Sequence, residues 1–141
     1  MLCKLHPAAL RSSRRAARRG TTAVEFAVTA PIVFLFFFAA FEFCRVAMIR
    51  HTADNAVYEA ARTAIIPGGS AVDARAEADR VLGTIGLSSY TVNVTPGTID
   101  RDTPEVTVRV RVPLDGNSFV PLKFMAGRSI QRELTMRREG V

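Results

Sequence analysis

Four residues near the N-terminus have the types and spacing to do chemistry: Gly20, Thr21, Glu25 and Phe26, within Arg18-Arg19-Gly20-Thr21-Thr22-Ala23-Val24-Glu25-Phe26. A carboxylate inside an apolar helix is costly, about 2.5–3.5 kcal/mol near a bilayer centre, so Glu25 needs a partner or a task. Cleavage of the Gly20–Thr21 bond would supply one. It would free an α-amino group on Thr21, with Glu25 four residues on, one helical turn away and on the same face. The carboxylate could pair with that amine or with the new amine of an adjacent subunit. Neutralisation would then relieve both burial costs and set the register between subunits. Gly20 and Thr21 are therefore the candidate processing site, and Glu25 with Phe26 the candidate assembly residues.

The element that must position them is the apolar run Phe26–Cys44, FAVTAPIVFLFFFAAFEFC, whose one charge is Glu42. Nineteen residues at about 1.5 Å each give roughly 28 Å, close to the hydrocarbon thickness of a bilayer. The run predicts a transmembrane helix. A secretory signal would have a shorter apolar core followed by a small-residue cleavage site, whereas Glu-Phe-Cys-Arg follows Phe41. A twin-arginine signal is less apolar, and a transit peptide leaves Glu25 unexplained. Pro31 inside the run removes one intrahelical hydrogen bond and should loosen or kink the helix, which membrane helices tolerate.

Lys4, Arg11, Arg14, Arg15, Arg18 and Arg19 precede the run with no acid among them, and they match the whole formal net charge of +6. The basicity belongs to a leader and gives no reason to expect a nucleic-acid partner. Positive charge on this side places the N-terminus in the cytoplasm and the chain after Cys44 outside it. The expected organisation is a basic leader at 1–20, a transmembrane helix at 21–44 and an extracytoplasmic domain at 45–141. Cys3 and Cys44 provide no disulfide framework if the leader is removed. Cys44 reads as a small apolar residue on a helix surface, with a bridge between neighbouring subunits as the lesser alternative.

Beyond the run, Val46, Ile49, Ala53, Val57, Ala60 and Ala64 recur at spacings of three and four. This predicts an amphipathic helix continuing to Ile66, before Pro67-Gly68-Gly69. A break near Cys44, giving two helices, is the alternative. Ser70 and Asp73 signal the start of a second helix, Ala71 to about Ile85, with Ala74, Ala78, Val81, Leu82 and Ile85 on one face. Three alternating segments follow: Tyr90, Val92 and Val94; Val106, Val108, Val110 and Val112; and Ile130, Leu134 and Met136. One polar face on each predicts an antiparallel sheet covered by helices on its other side. The fold class is α+β: a long N-terminal transmembrane and amphipathic helix, a second short helix and a three-stranded antiparallel sheet, a pilin-like layout. Pro96 to Pro104 suits a hairpin loop. Phe119, Val120, Leu122, Phe124 and Met125, in the connection from Pro113 to Gly127, would cover the core, or else touch the membrane or a partner. Arg109, Arg111, Arg132, Arg137 and Arg138 read first as part of a solvated sheet face and second as a basic stripe facing acidic headgroups or a partner.

No catalytic site is visible. After the leader there is one histidine, His51, and it does not converge with Asp54 and Glu59 on a pocket. There is no Cys/His metal-ligand cluster, no phosphate-cradling glycine loop and no nucleophile–base pairing. No cofactor or metal is expected, and the chain reads as a non-enzyme.

Gly20 followed by Thr-Thr-Ala-Val-Glu-Phe, then Ala-Val-Thr-Ala-Pro-Ile-Val, Glu42-Phe43-Cys44-Arg45 and Tyr58-Glu59-Ala60-Ala61-Arg62, resembles the TadE-like proteins of tight-adherence (Flp) pilus systems. The resemblance covers roughly Arg18 to Ala64. Cys44 stands where members commonly have glycine. The resemblance implies processing by a prepilin peptidase at Gly20–Thr21, with Glu25 at position five of the mature chain. It also implies a minor, pseudopilin-like role in the assembly or function of a Flp-type (type IVb) pilus or related secretion apparatus. The implied partners are membrane lipids, the peptidase, other pilin or pseudopilin subunits and the assembly platform, at the inner (cytoplasmic) membrane. The alternative is an uncleaved single-span envelope anchor or scaffolding protein presenting a small binding domain.

Overall fold

The computed structural model describes the backbone of residues 8–117 and 127–138, and within these the side chains from Gly20 onward. The fold is α+β, with five elements: α1 (Ala8–Ile65), α2 (Ala71–Gly83), β1 (Thr91–Thr95), β2 (Glu105–Pro113) and β3 (Ser129–Arg137).

Helix α1 is unbroken at Cys44 and contains Pro31. It starts at Ala8, well before the expected transmembrane helix at 21–44. The stretch Ala8–Arg19 is rich in alanine and arginine, both strong helix formers, so local propensity carries the helix into the basic segment. The helix ends one residue short of Ile66. Gly68 takes φ +86°, and the Gly69 amide donates to the Ile66 carbonyl at 2.9 Å. A Cβ on Gly69 would collide with the Thr63 carbonyl oxygen, so the turn requires glycine there as well.

The chain divides into two compact units, Met1–Ala40 and Phe41–Val141. In the first, every described side chain is exposed except Ala30 and Ala39, which are half-buried. Phe37 and Phe38 meet edge to face with centroids 6.0 Å apart. The Thr29 hydroxyl donates to the Glu25 carbonyl at 2.7 Å.

The second unit holds the core. Its sheet has the order β1-β2-β3, antiparallel throughout. Val106, Val108, Val110 and Val112 are all fully buried on one face of β2. They join Val94 of β1 and a band from α1 (Ile49, Ala53, Ala56, Val57, Ala60, Ala61 and Ala64) in one cluster. The band is wider than the stripe read from spacing because Ala56 and Ala61 are buried too. Alanines of the helix and valines of the sheet fill this one buried cluster together. Helix α2 adds Ala71, Ala74, Ala78 and Leu82 to the core, and Val81 and Ile85 pack at its margin. Ser70 caps it, accepting from the Asp73 amide at 3.1 Å. The stop at Gly83 rather than near Ile85 is closed by the Thr84 hydroxyl and amide, both donating to the Val81 carbonyl.

Residues 96–104 form the β1–β2 loop. The Asp100 amide donates to the Thr103 hydroxyl at 2.9 Å, and the Arg138 guanidinium donates to the Asp100 carbonyl at 2.6 Å. The five arginines do not make one basic stripe. Strand alternation sends Arg132 to the core-facing side with Ile130, Leu134 and Met136, where its Nε lies 2.6 Å from Asp54 Oδ1 of α1. Arg109 is paired with Glu133, its register partner on β3, at 2.8 Å. Arg138 lies beyond the end of β3 and serves the loop. Phe119, Val120, Leu122, Phe124 and Met125 lie outside the described residues.

Candidate functional site

Gly20 is exposed on α1, and a Cβ added there would meet nothing within 4 Å. No packing constraint asks for glycine at this position. Glycine does lower helix stability by about 1 kcal/mol relative to alanine, so the backbone at Gly20–Thr21 opens more easily than its neighbours. Thr21 and Thr22 follow, both exposed, and Glu25 is exposed one turn beyond Thr21. Phe26 is 73% exposed and begins the bulky apolar surface.

From Phe26 onward the surface of this unit is nearly continuous hydrocarbon: Val28, Ile32, Val33, Phe34, Leu35, Phe36, Phe37 and Phe38 are all more than half exposed. A soluble core helix would hide such residues. Gly20–Ile65 contains a window of mean hydropathy 2.2 of which 11% is buried, long and apolar enough to cross a membrane. No group of three or more His, Cys, Asp or Glu side chains that could hold a metal ion occurs among the described residues.

A second polar group, in the larger unit, was not singled out from the sequence. Glu42 is only 1% exposed. On the same side of α1, Arg45 donates from Nε to the Asn117 carbonyl at 3.2 Å and from Nη1 to the Ile85 carbonyl at 3.1 Å. Asn117, 5% exposed, accepts from the Ser88 amide at 3.0 Å. Its amide nitrogen donates to the Ser89 and Pro113 carbonyls, both at 2.8 Å. Three segments distant in sequence are thereby tied together: the start of this unit's helix, the α2–β1 loop and the turn after β2. The spacing of Glu42 and Arg45 was visible, but Asn117 lies 72 residues from Arg45, and no local pattern announces that contact.

Residues 20–62 match the family model described as TadE-like protein. This stretch of α1 is similar to TadE-like proteins. No curated protein and no solved structure matches the chain. The TadE-like stretch opens on Gly20 and runs through Glu25, the exposed apolar surface, Glu42 and Arg45. It ends at Arg62, inside the buried alanine band, and so takes in every candidate residue of both polar groups that lies on α1.

Proposed function

We propose that this chain is a membrane-anchored, TadE-like pseudopilin, a minor subunit in the assembly or function of a Flp-type pilus or related secretion apparatus. The observation that carries this reading is the family match beginning at Gly20, on a helix whose side chains to Ala40 are almost all exposed and mostly apolar. A prepilin peptidase cuts between Gly20 and Thr21, leaving the new amine one turn before Glu25. The Glu25 carboxylate then neutralises that amine or a neighbouring subunit's, and Phe26 packs beside it. The chain sits in the inner membrane with its leader cytoplasmic and its α+β domain outside. It acts by binding lipids, other pilin-type subunits and the assembly platform, and it performs no catalysis.

The unbroken passage of α1 through Gly20 supports a second reading, an uncleaved single-span anchor presenting a small binding domain. Intact mass and N-terminal sequencing of the protein from its native membranes separate the two. A mature start at Thr21 that disappears with Gly20→Val supports the pseudopilin. A start at Met1 rejects processing and leaves the anchor.

A further inference from the structure

The two edges of the sheet are finished differently. Strand β1 has five residues, runs into Pro96 and lies against α2. Strand β3 is the other edge, and among the described residues no strand pairs with its outer side. It has nine residues in unbroken register with β2, from Ser129 opposite Pro113 to Arg137 opposite Glu105. It contains no proline, lysine or bulge, the devices that commonly blunt an exposed edge. Its inward-pointing charge, Arg132, is tied to Asp54.

Bonds at the two ends of the hairpin show which backbone groups of β3 are left over. The Leu114 amide donates to the Arg128 carbonyl and the Arg138 amide to the Pro104 carbonyl, each at 2.9 Å. Both pairs continue the β2–β3 register. Bonded and non-bonded pairs alternate in an antiparallel ladder, so the even-numbered residues of β3 bond to β2. The amides and carbonyls of Gln131, Glu133, Thr135 and Arg137 therefore point to the open edge. The side chains of these four are exposed. On the opposite face Ile130, Leu134 and Met136 are half-buried, while the valines beside them on β2 are 0% exposed.

We propose that the outer edge of β3 is a docking site for an extended segment of a partner protein, which adds antiparallel as a further strand. The segment carries acidic, hydroxyl and basic side chains opposite Arg137, Thr135 and Glu133. Charge complementarity defines this occupant, because β2 already shows what these residues accept. On that side Glu105 stands opposite Arg137, Thr107 meets Thr135 at 2.8 Å, and Arg109 meets Glu133 at 2.8 Å. The same three side chains flank the open edge, where an added strand of the same alternation repeats the ladder. Its outward-facing amides and carbonyls gain partners, and its alternate apolar side chains cover Leu134 and Met136. The inference is independent of processing at Gly20 and of the membrane span.

The test uses the full-length chain in detergent micelles and a synthetic peptide with the sequence of β2 from Glu105 to Arg111, which presents the required alternation. Amide exchange is followed by nuclear magnetic resonance. In the free protein the amides of Glu133, Thr135 and Arg137 should exchange about ten-fold faster than those of Leu134 and Met136, or more. Peptide at up to millimolar concentration should slow the first three and leave the other two unchanged. Arg137→Glu should weaken peptide binding about five-fold, the size of one cross-strand pair. A peptide with arginine in place of its glutamate should restore it. If all five amides are equally slow in the free protein, the edge is already covered and the proposal fails. If millimolar peptide slows none of the three, the edge takes no strand and the proposal fails. If the peptide binds equally well to Arg137→Glu, it is not held by this ladder, and the proposal fails again.

Discussion

Between Gly20 and Ala40, helix α1 presents phenylalanine, valine and leucine side chains that nothing in its own unit covers. Between Ile49 and Ala64 the same helix presents mostly alanine, and those alanines are buried to 0% exposure. The two stretches share backbone geometry and differ in what surrounds them. Where the surroundings are lipid, bulk is an asset, because each large apolar side chain adds transfer free energy without having to fit a neighbour. Where the surroundings are a sheet of valines, bulk is a liability, because the packed interior has no room for it. Side-chain size along one helix thus marks the change from a solvent-like environment to a jigsaw.

The sharpest way to break this contrast is to place one charge in each environment. Val108→Asp would bury an unpaired carboxylate in the core at a cost of several kcal/mol, a large part of the roughly 5–15 kcal/mol that holds a domain together. Loss of cooperative melting and of protease resistance is expected. Val33→Asp should leave the melting of the domain unchanged and instead lower the fraction of chain recovered in membranes, measured by carbonate extraction. Equal loss of melting in both variants would mean that the two stretches do not answer to separate environments.

Size gives the next effect. Ala60→Leu should cost about 1–3 kcal/mol through overpacking against the sheet. Phe36→Leu should leave the denaturation midpoint of the domain where it is. Urea unfolding of the two variants side by side decides whether tolerance of bulk tracks burial.

The same contrast explains what could be read in the sequence. The apolar run, the period-three-and-four stripe, the Ser70 cap and the strand alternation are local signals, and the elements follow them closely. The start of α1 at Ala8 was missed because an arginine- and alanine-rich segment carries no hydrophobic periodicity while keeping high helix propensity. Arg132 departs from the expected solvated face because charge alone groups the arginines, whereas parity along β3 puts it on the core-facing side with Asp54. The junction of Arg45, Ser88 and Asn117 is not legible in the sequence because it joins segments far apart in the chain, and only the fold brings them together. At the candidate site, Gly20, Thr21, Glu25 and Phe26 stand out by spacing and by resemblance, and all four are exposed on α1.

That junction gives a prediction of intermediate size. Asn117→Ala removes the acceptor of the Ser88 amide and the donor to the Ser89 and Pro113 carbonyls. Leaving such part-buried groups unmatched costs about 1–3 kcal/mol. Hydrogen exchange should quicken at Ser88 and in the α2–β1 loop before it changes in β2. The Asp54–Arg132 pair is smaller, because Asp54 is exposed and Arg132 only half-buried, so solvent still screens them. Asp54→Asn should cost no more than about 1 kcal/mol, and less as salt is raised.

The smallest effect concerns Tyr90, in the larger unit beside α2. Burial pushes its phenol above the usual range, and the charge of Asp79 and a hydrogen bond to it push the same way. The folded state thus favours the neutral phenol, so its contribution to stability is complete below the unfolded pKa of about 10. That contribution is lost as pH rises through the higher folded value. The chain has two tyrosines, so Tyr58→Phe leaves Tyr90 as the one absorbing phenol. Its ultraviolet titration should have a higher midpoint in the native protein than in urea, and Asp79→Asn should recover part of the difference while burial keeps the rest. Coincident native and unfolded midpoints would show that Tyr90 is solvated like the outer surface, and that the packed environment of this unit ends before the start of β1.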